Sequence, residues 1–248
     1  MTAPAFPGGT SVSRLSVYRD AASDGLVGGT PHLHTASTEA YVVVSGHGAL
    51  HTIDRSGFRE TALAPGSTVW FTPGTIHRAI NRGGLEVIVV MQNAGLPEAG
   101  DAVMTFPLEV IGDPARYPEA ATLPAGAAGE AMAVAVRQRR DLAVAGFHQI
   151  ADAIQRGDTG PLNRLHDHAA RLVQSRVAQW REIWEGTVAR EAQLTADVLD
   201  ALARGDAAHL RQATVLESPP SATARWGMCG LLHTHDVAHP WQVGAGRP

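Results

Sequence analysis

Lysine is absent from this chain, and all 20 of its basic side chains are arginine. A Schiff-base lysine or a P-loop lysine is therefore excluded as the centre of its chemistry. Arginine recognises carboxylates and phosphates by paired hydrogen bonds, so anionic substrates stay open. Cysteine is nearly absent too, and Cys229 stands alone. A single thiol excludes an internal disulfide and any zinc site built on paired cysteines. Its ordinary role is that of a small buried apolar residue, with a reactive thiol as the other reading. No apolar run approaches the length of a membrane span, and residues 1–10 carry neither the charged nor the apolar part of an export signal. A cytoplasmic protein without a membrane partner is expected. Basic blocks are missing as well, and the net charge is −4, which argues against a nucleic-acid partner.

What is present is enough for one large domain or two small ones: 248 residues, 44% of them hydrophobic. The texture changes along the chain. Residues 11–111 are rich in Val, Thr, Gly and Pro, and short apolar runs alternate with turn signals. These predict strands over 14–18, 31–34, 40–45, 48–53, 59–63, 68–71, 76–80 and 85–92. Ser56-Gly57 reads as the turn of a hairpin. Many short strands without intervening helices imply a sandwich or barrel. Residues 113–127 read as a Pro/Ala/Gly-rich linker. Residues 128–213 then become helical. Leu162, Leu165, Ala169, Leu172, Val173, Val177, Trp180 and Trp184 recur at three- and four-residue spacing, a stripe that must be buried. Phe147, Ile150 and Ile154 form a shorter stripe before it. The tail, 214–248, is irregular but apolar enough to pack onto the barrel or a neighbouring subunit.

The chemistry concentrates in two short blocks. His32 and His34 are two apart, so on a strand they share one face. Glu39 follows across a polar turn, and His77 arrives from a separate block behind the rigid turn Pro73-Gly74. Three imidazoles and one carboxylate form a complete ligand set for one divalent transition metal, with coordination positions left over. Ligand type alone permits Fe(II), Mn, Ni, Co, Cu or Zn.

The first block, His32-x-His34, four residues, Glu39, six residues, Gly46, resembles the first motif of the cupin superfamily. The second, with Pro73-Gly74, His77 and Asn81, resembles that family's second motif. The resemblance covers residues 11–95. It departs from the pattern in two places: Gly66 is followed by Ser67 rather than Asp, and the Gly66–Pro73 spacing is one residue long. Neither departure touches a ligand. The resemblance implies a cupin double-stranded β-helix, or jelly-roll barrel, over 1–112; with the helical pattern that follows it, the expected chain is α+β, the barrel being followed by an all-α helical domain over 128–213. The resemblance also implies a homodimer and one metal held by His32, His34, Glu39 and His77.

Around that quartet, Tyr41, His51 and Arg78 are the candidate catalytic residues. Tyr41 shares the inward face of Glu39 as a substrate contact or acid, unless it only packs. His51 would face the pocket as a proton shuttle, against the plainer reading of a surface or packing residue. Arg78, with Arg82, would clamp a carboxylate unless both are solvated loop residues. Met91 or Gln92 should look into the barrel. His166 and His168 lie two apart on a helix, about 200° around it, so they cannot share an ion. His233, His235 and His239 leave a second metal site open, and the tail that carries them could roof the pocket. The helical half is expected to shape or lid the barrel mouth. Three functions compete: a metal-dependent oxygenase for a small oxygenated organic molecule; a non-redox isomerase, cyclase or lyase; and a small-ligand-binding regulator.

Overall fold

The computed structural model describes residues 6–243, so five residues at each end of the expected barrel and tail segments lie outside it. Seven strands come first: β1 (Ser11–Val17), β2 (His32–His34), β3 (Glu39–Asp54), β4 (Gly57–Leu63), β5 (Thr68–Phe71), β6 (Ile76–Met91) and β7 (Ala102–Met104). The helices follow: α1 (Leu108–Ile111), α2 (Arg116–Ala121), α3 (Gly129–Gln155), α4 (Gly160–Val173), α5 (Val177–Trp184) and α6 (Arg190–Ala203). Four short strands close the chain: β8 (Leu216–Glu217), β9 (Arg225–Trp226), β10 (Gly230–Thr234) and β11 (Trp241–Gln242). The N-terminal part is thus a β-sandwich, and four longer helices come after it.

Two expected strand pairs have merged. Residues 40–45 and 48–53 belong to one strand, β3, and residues 76–80 and 85–92 belong to β6. The two long strands pair antiparallel along nearly their whole length, with register shifts between Val43 and Gly48. The irregularity is built on glycine. Gly46 has φ 72°, and a Cβ there would meet the carbonyl oxygen of Gly84 at 2.1 Å. Only glycine combines that backbone with so close an approach. A bulge bends the sheet, and it also reverses which alternate residues face inward. The hairpin between β3 and β4 turns at Arg55-Ser56, one residue earlier than expected, because Asp54 pairs with Gly57.

The sheet runs in the order β4-β3-β6-β1-β10-β9, with β5 on β3, and β2 bridging β6 and β7. Its inner core gathers Leu15, Tyr41, Val43, Leu50, Leu63, Val87 and Cys229 among others. A second core lies on the outer face. There Leu33, Ile53 and Ile76 pack against Phe147 and Ile150 of α3 and against Leu162 and Leu165 of α4. The long helical stripe is broken by a 3-10 turn at Gln174–Arg176. Trp180 is buried beyond it, but Trp184 stays 40% exposed, contrary to the expectation that the whole stripe is covered.

The segments read as linker and tail carry structure. Residues 113–127 include α2. In the tail, β10 pairs with β1, Leu232 opposite Leu15 and Gly230 opposite Val17. Cys229, just before β10, joins the inner core as the small apolar residue its isolation suggests. No helix among the described residues is long and apolar enough to cross a membrane.

Candidate metal centre

The quartet His32, His34, Glu39 and His77 comes together, all four residues buried, with one ligand atom from each within 4.8 Å of the others. Three strands deliver it. His32 pairs across β2 and β6 with His77, and Glu39 opens β3. Behind His77, the Pro73-Gly74 turn is fixed from two sides. Gly74 donates its N–H to the His34 carbonyl, and its own carbonyl lies 2.9 Å from Nε2 of His166 on α4.

Each imidazole is pinned by its second nitrogen. The Nδ1 of His32 lies 2.9 Å from the Thr30 carbonyl, that of His77 3.2 Å from the Thr75 carbonyl, and that of His34 2.6 Å from Oδ1 of Asp101. Those partners accept hydrogen bonds, so Nδ1 is the protonated nitrogen in each ring. The Nε2 lone pairs of the neutral rings are then turned toward one another and toward Glu39. His77 Nε2 is 3.1 Å from His32 Nε2 and 3.1 Å from Glu39 Oε2, and His34 Nε2 is 3.0 Å from the same oxygen. Glu39 Oε2 is buried and makes no well-directed hydrogen bond. Four buried donor atoms facing one point with no hydrogen between most of them are a site for a cation.

Electrostatics agree. Burial and the neighbouring His77 hold His32 well below the usual histidine pKa, so it stays neutral. Burial also opposes charge on His34, but Asp101 and Glu39 outweigh it and raise its pKa to about 10. Without a metal, His34 therefore carries the proton that partly balances Glu39. Burial opposes ionisation of Glu39, but the neighbouring His77 and His34 outweigh it and hold the carboxylate ionised. The donor set fits one divalent transition metal, held by the three Nε2 atoms and the Glu39 carboxylate. Such an ion acts as a Lewis acid and offers open positions to oxygen ligands.

Asp101 has no counterpart in the sequence reading. It lies in the loop before β7, is completely buried, and its Oδ2 has no partner. A carboxylate that holds the far nitrogen of a ligand histidine fixes its tautomer and raises its basicity. Asp101→Asn should therefore weaken metal affinity about 10-fold or more, read by competition with a chelator. Unchanged affinity would show that Asp101 only packs.

The cluster opens into a cavity of about 350 Å³ lined by His32, His34 and Glu39. Leu15, Val89 and Met91 from the barrel and Met228, Cys229 and Leu232 from the tail form its apolar wall. The tail thus roofs the cavity. Met91, not Gln92, faces inward. Arg139 on α3, Arg225 on β9 and Glu98 supply further charged groups.

The three candidate catalytic residues separate. Tyr41 is fully buried in the inner core, its hydroxyl 3.5 Å from Cys229 Sγ. Burial, Cys229 and Glu39 keep it protonated, well above the ordinary tyrosine pKa. Burial and Glu39 likewise push the Cys229 thiol up to about 12. His51 and Arg78 lie opposite each other across β3 and β6, one residue out of step with Thr52 and His77. Their side chains consequently point to the other face of the sheet. They line a different cavity, of about 450 Å³, between that face and α3, with Asp24, Phe147 and His148. The expectation of a pocket-facing shuttle and clamp is corrected on this point. The bulge between Val43 and Gly48 reverses the alternation, so the inward parity of Glu39 and Tyr41 does not extend to His51. His51 binds Glu60 at 2.8 Å, and Arg78 makes a buried ion pair with Asp24. Arg82 pairs with Glu60 at the surface.

The tail histidines do not assemble a second metal site among the described residues. His233 and His235 turn Nδ1 to the carbonyls of Ser221 and Ser218, and His239 lies beside Asp236.

A family match agrees with this geometry. Residues 24–91 match the family described as Cupin domain, and this segment is a cupin domain. The solved structures that are similar include the Streptomyces protein Pac13, described as a nucleoside dehydratase and solved with uridine. It is 20% identical over 42% of this chain and 70% of that one, with a TM-score of 0.30. KdgF from a Halomonas species is 20% identical over 37% of this chain and 72% of that one, with a TM-score of 0.28. A cupin protein from Bacteroides fragilis is 18% identical over 35% of this chain and 65% of that one, with a TM-score of 0.26. No curated protein matches.

Proposed function

We propose that this protein is a metal-dependent cupin enzyme, an oxygenase acting on a small oxygenated organic molecule, with His32, His34, Glu39 and His77 as the metal ligands. The observation that carries the reading is the convergence of three Nε2 atoms and one carboxylate oxygen at the wall of a largely apolar cavity. In that cavity a bound metal supplies open positions for a substrate oxygen and for O₂. The chain's own part is to hold and orient. The Nδ1 partners lock the rings, the apolar wall excludes water, and the roof of tail residues encloses the ligand. With His51 on the other face, the cavity loses the imidazole best suited to moving protons, and this favours an oxygenase over a non-redox isomerase.

One observation keeps the non-redox alternative in view. The Tyr41 hydroxyl is protonated, buried and close to Glu39, and can donate a hydrogen bond toward the quartet. Oxygen consumption separates the two. Protein loaded with Fe(II) should consume O₂ only when a small oxygenated compound from a screened set is present, and His77→Ala should abolish the uptake. Conversion of a compound at equal rate with and without O₂ would overturn the oxygenase reading and favour an isomerase, cyclase or lyase.

The proposal includes a cytoplasmic homodimer. Its support is an apolar outer patch: Trp70 on β5 is 70% exposed, and the pairing of β5 with β3 sets it on the same face as Val44, itself 51% exposed. A soluble monomer leaves few such patches uncovered.

A further inference from the structure

Helix α3 carries three arginines in the run Arg137-Gln-Arg-Arg140, and two of them have carboxylate partners. Arg137 pairs with Glu130, and Arg140 pairs with Asp20 and lies near Asp141. Arg139 has none within ion-pair distance among the described residues. Its polar contacts are two long ones, Nη1 to the Ala121 carbonyl at 3.3 Å and Nη2 to the Gly227 carbonyl at 3.4 Å. Its Nε is buried without any partner. Yet the side chain lines the same cavity as His32, His34 and Glu39.

A guanidinium taken out of water without a counter-ion is unfavourable, and it is tolerated where a ligand completes it. Its two Nη atoms, each held by only one long contact to a carbonyl, are donors that a carboxylate can accept. A second arginine, Arg225, lines the cavity from β9 and is exposed. The one acid there besides Glu39 is Glu98, and its carboxylate accepts the Gly95 N–H. The cavity beyond the quartet is thus net positive, and its volume of about 350 Å³ suits a compact molecule.

We infer that Arg139 binds the carboxylate of a small organic acid in the cavity of the metal centre, so that the substrate class is a carboxylate whose second oxygen function faces the quartet. The inference rests on the proposed reading of this cavity as the substrate site. It also gives the helical region a part in recognition, since α3 contributes Arg139 to the lining of the cavity.

The test is binding, not turnover. Pyruvate, malonate and salicylate, each compared with its neutral amide, are titrated calorimetrically against zinc-loaded native protein, Arg139→Gln and Arg139→Lys. The native protein should bind at least one acid and prefer it to its amide. Arg139→Gln should weaken that binding about 10-fold to 100-fold and leave zinc content unchanged. Arg139→Lys, which keeps the charge and loses the fork, should fall between them. Should Arg139→Gln fail to fold, the lysine variant and the acid-to-amide preference of the native protein still decide. Equal affinity for acids and amides, no acid bound by the native protein, or unchanged binding in the variants that fold would each overturn the assignment. If carboxylate binding depends on Arg139 but no O₂ is ever consumed, the carboxylate site stands and the oxygenase reading falls. Fe(II)-dependent uptake with neutral compounds alone would leave the oxygenase reading standing and remove the carboxylate site.

Discussion

Substituting His77 with alanine should abolish the response of the melting transition to divalent transition metals. In the native protein an ion held by the folded state alone stabilises by mass action, by about 2.7 kcal/mol at a free concentration 100 times the Kd. His77 is the ligand with no solvent exposure, and its Nε2 contacts both His32 and Glu39. Its removal takes one of four donors and breaks the contact across β2 and β6 that joins two of them. Native protein should melt at a higher temperature with added zinc, manganese or iron, whereas His77→Ala should melt at one temperature throughout. A variant that still gains stability would mean that the ion binds elsewhere, and the Nε2 convergence would then have to be explained by the His34 proton alone.

The second large effect lies on the other face of the sheet. Arg78 is completely buried, and its charge is met by Asp24, with oxygens 2.5 and 3.2 Å from its Nη atoms. The remaining contact is from Nε to the Gly29 carbonyl at 3.0 Å. Asp24→Ala leaves a buried guanidinium without a counter-ion and should cost about 3–5 kcal/mol of stability, measured by denaturant unfolding. The pair should also be visible in acid. Burial works against the Asp24 carboxylate, but Arg78 outweighs it and lowers the pKa from 3.8 to about 2. A folded-state pKa below the unfolded one means stability that is fully present above about pH 4 and lost as the pH falls through about 2. The native protein should therefore lose stability over that window more steeply than Asp24→Ala. A loss under about 1 kcal/mol on substitution, or parallel acid profiles, would show that solvent already satisfies Arg78.

This ion pair also shows where the sequence stops being legible. His32, His34, Glu39 and His77 are readable because strand alternation and the Pro73-Gly74 turn are local, and each ligand lies close to its block's turn. His51 is not, because its orientation depends on a bulge between Val43 and Gly48 that reverses the alternation, and no residue pattern there announces it beyond Gly46 itself; Arg78, next to His77 on β6, falls on the other face by plain alternation. Asp101 sits in a loop, where no periodicity distinguishes a carboxylate that orients His34 from one in water. Arg139 reads as one more charge on an exposed helix until the helix is docked. The tail can be read as packing but not as strand β10, since five residues of mixed polarity pair with β1 only once the sheet exists to receive them.

The proposed site draws on both halves of the chain. The barrel supplies the four donors and the apolar wall, the tail closes the roof, and α3 provides the unpaired guanidinium. The proposed activity and substrate class both depend on whether the quartet holds an ion. Elemental analysis of the native protein, loaded with metal and dialysed against metal-free buffer, tests that most directly. About one divalent transition-metal ion per chain is expected, with none in His32→Ala, His34→Ala or His77→Ala protein prepared in the same way. Native protein that retains no metal, or variants that retain as much as the native chain, would contradict the assignment of the quartet as a metal centre.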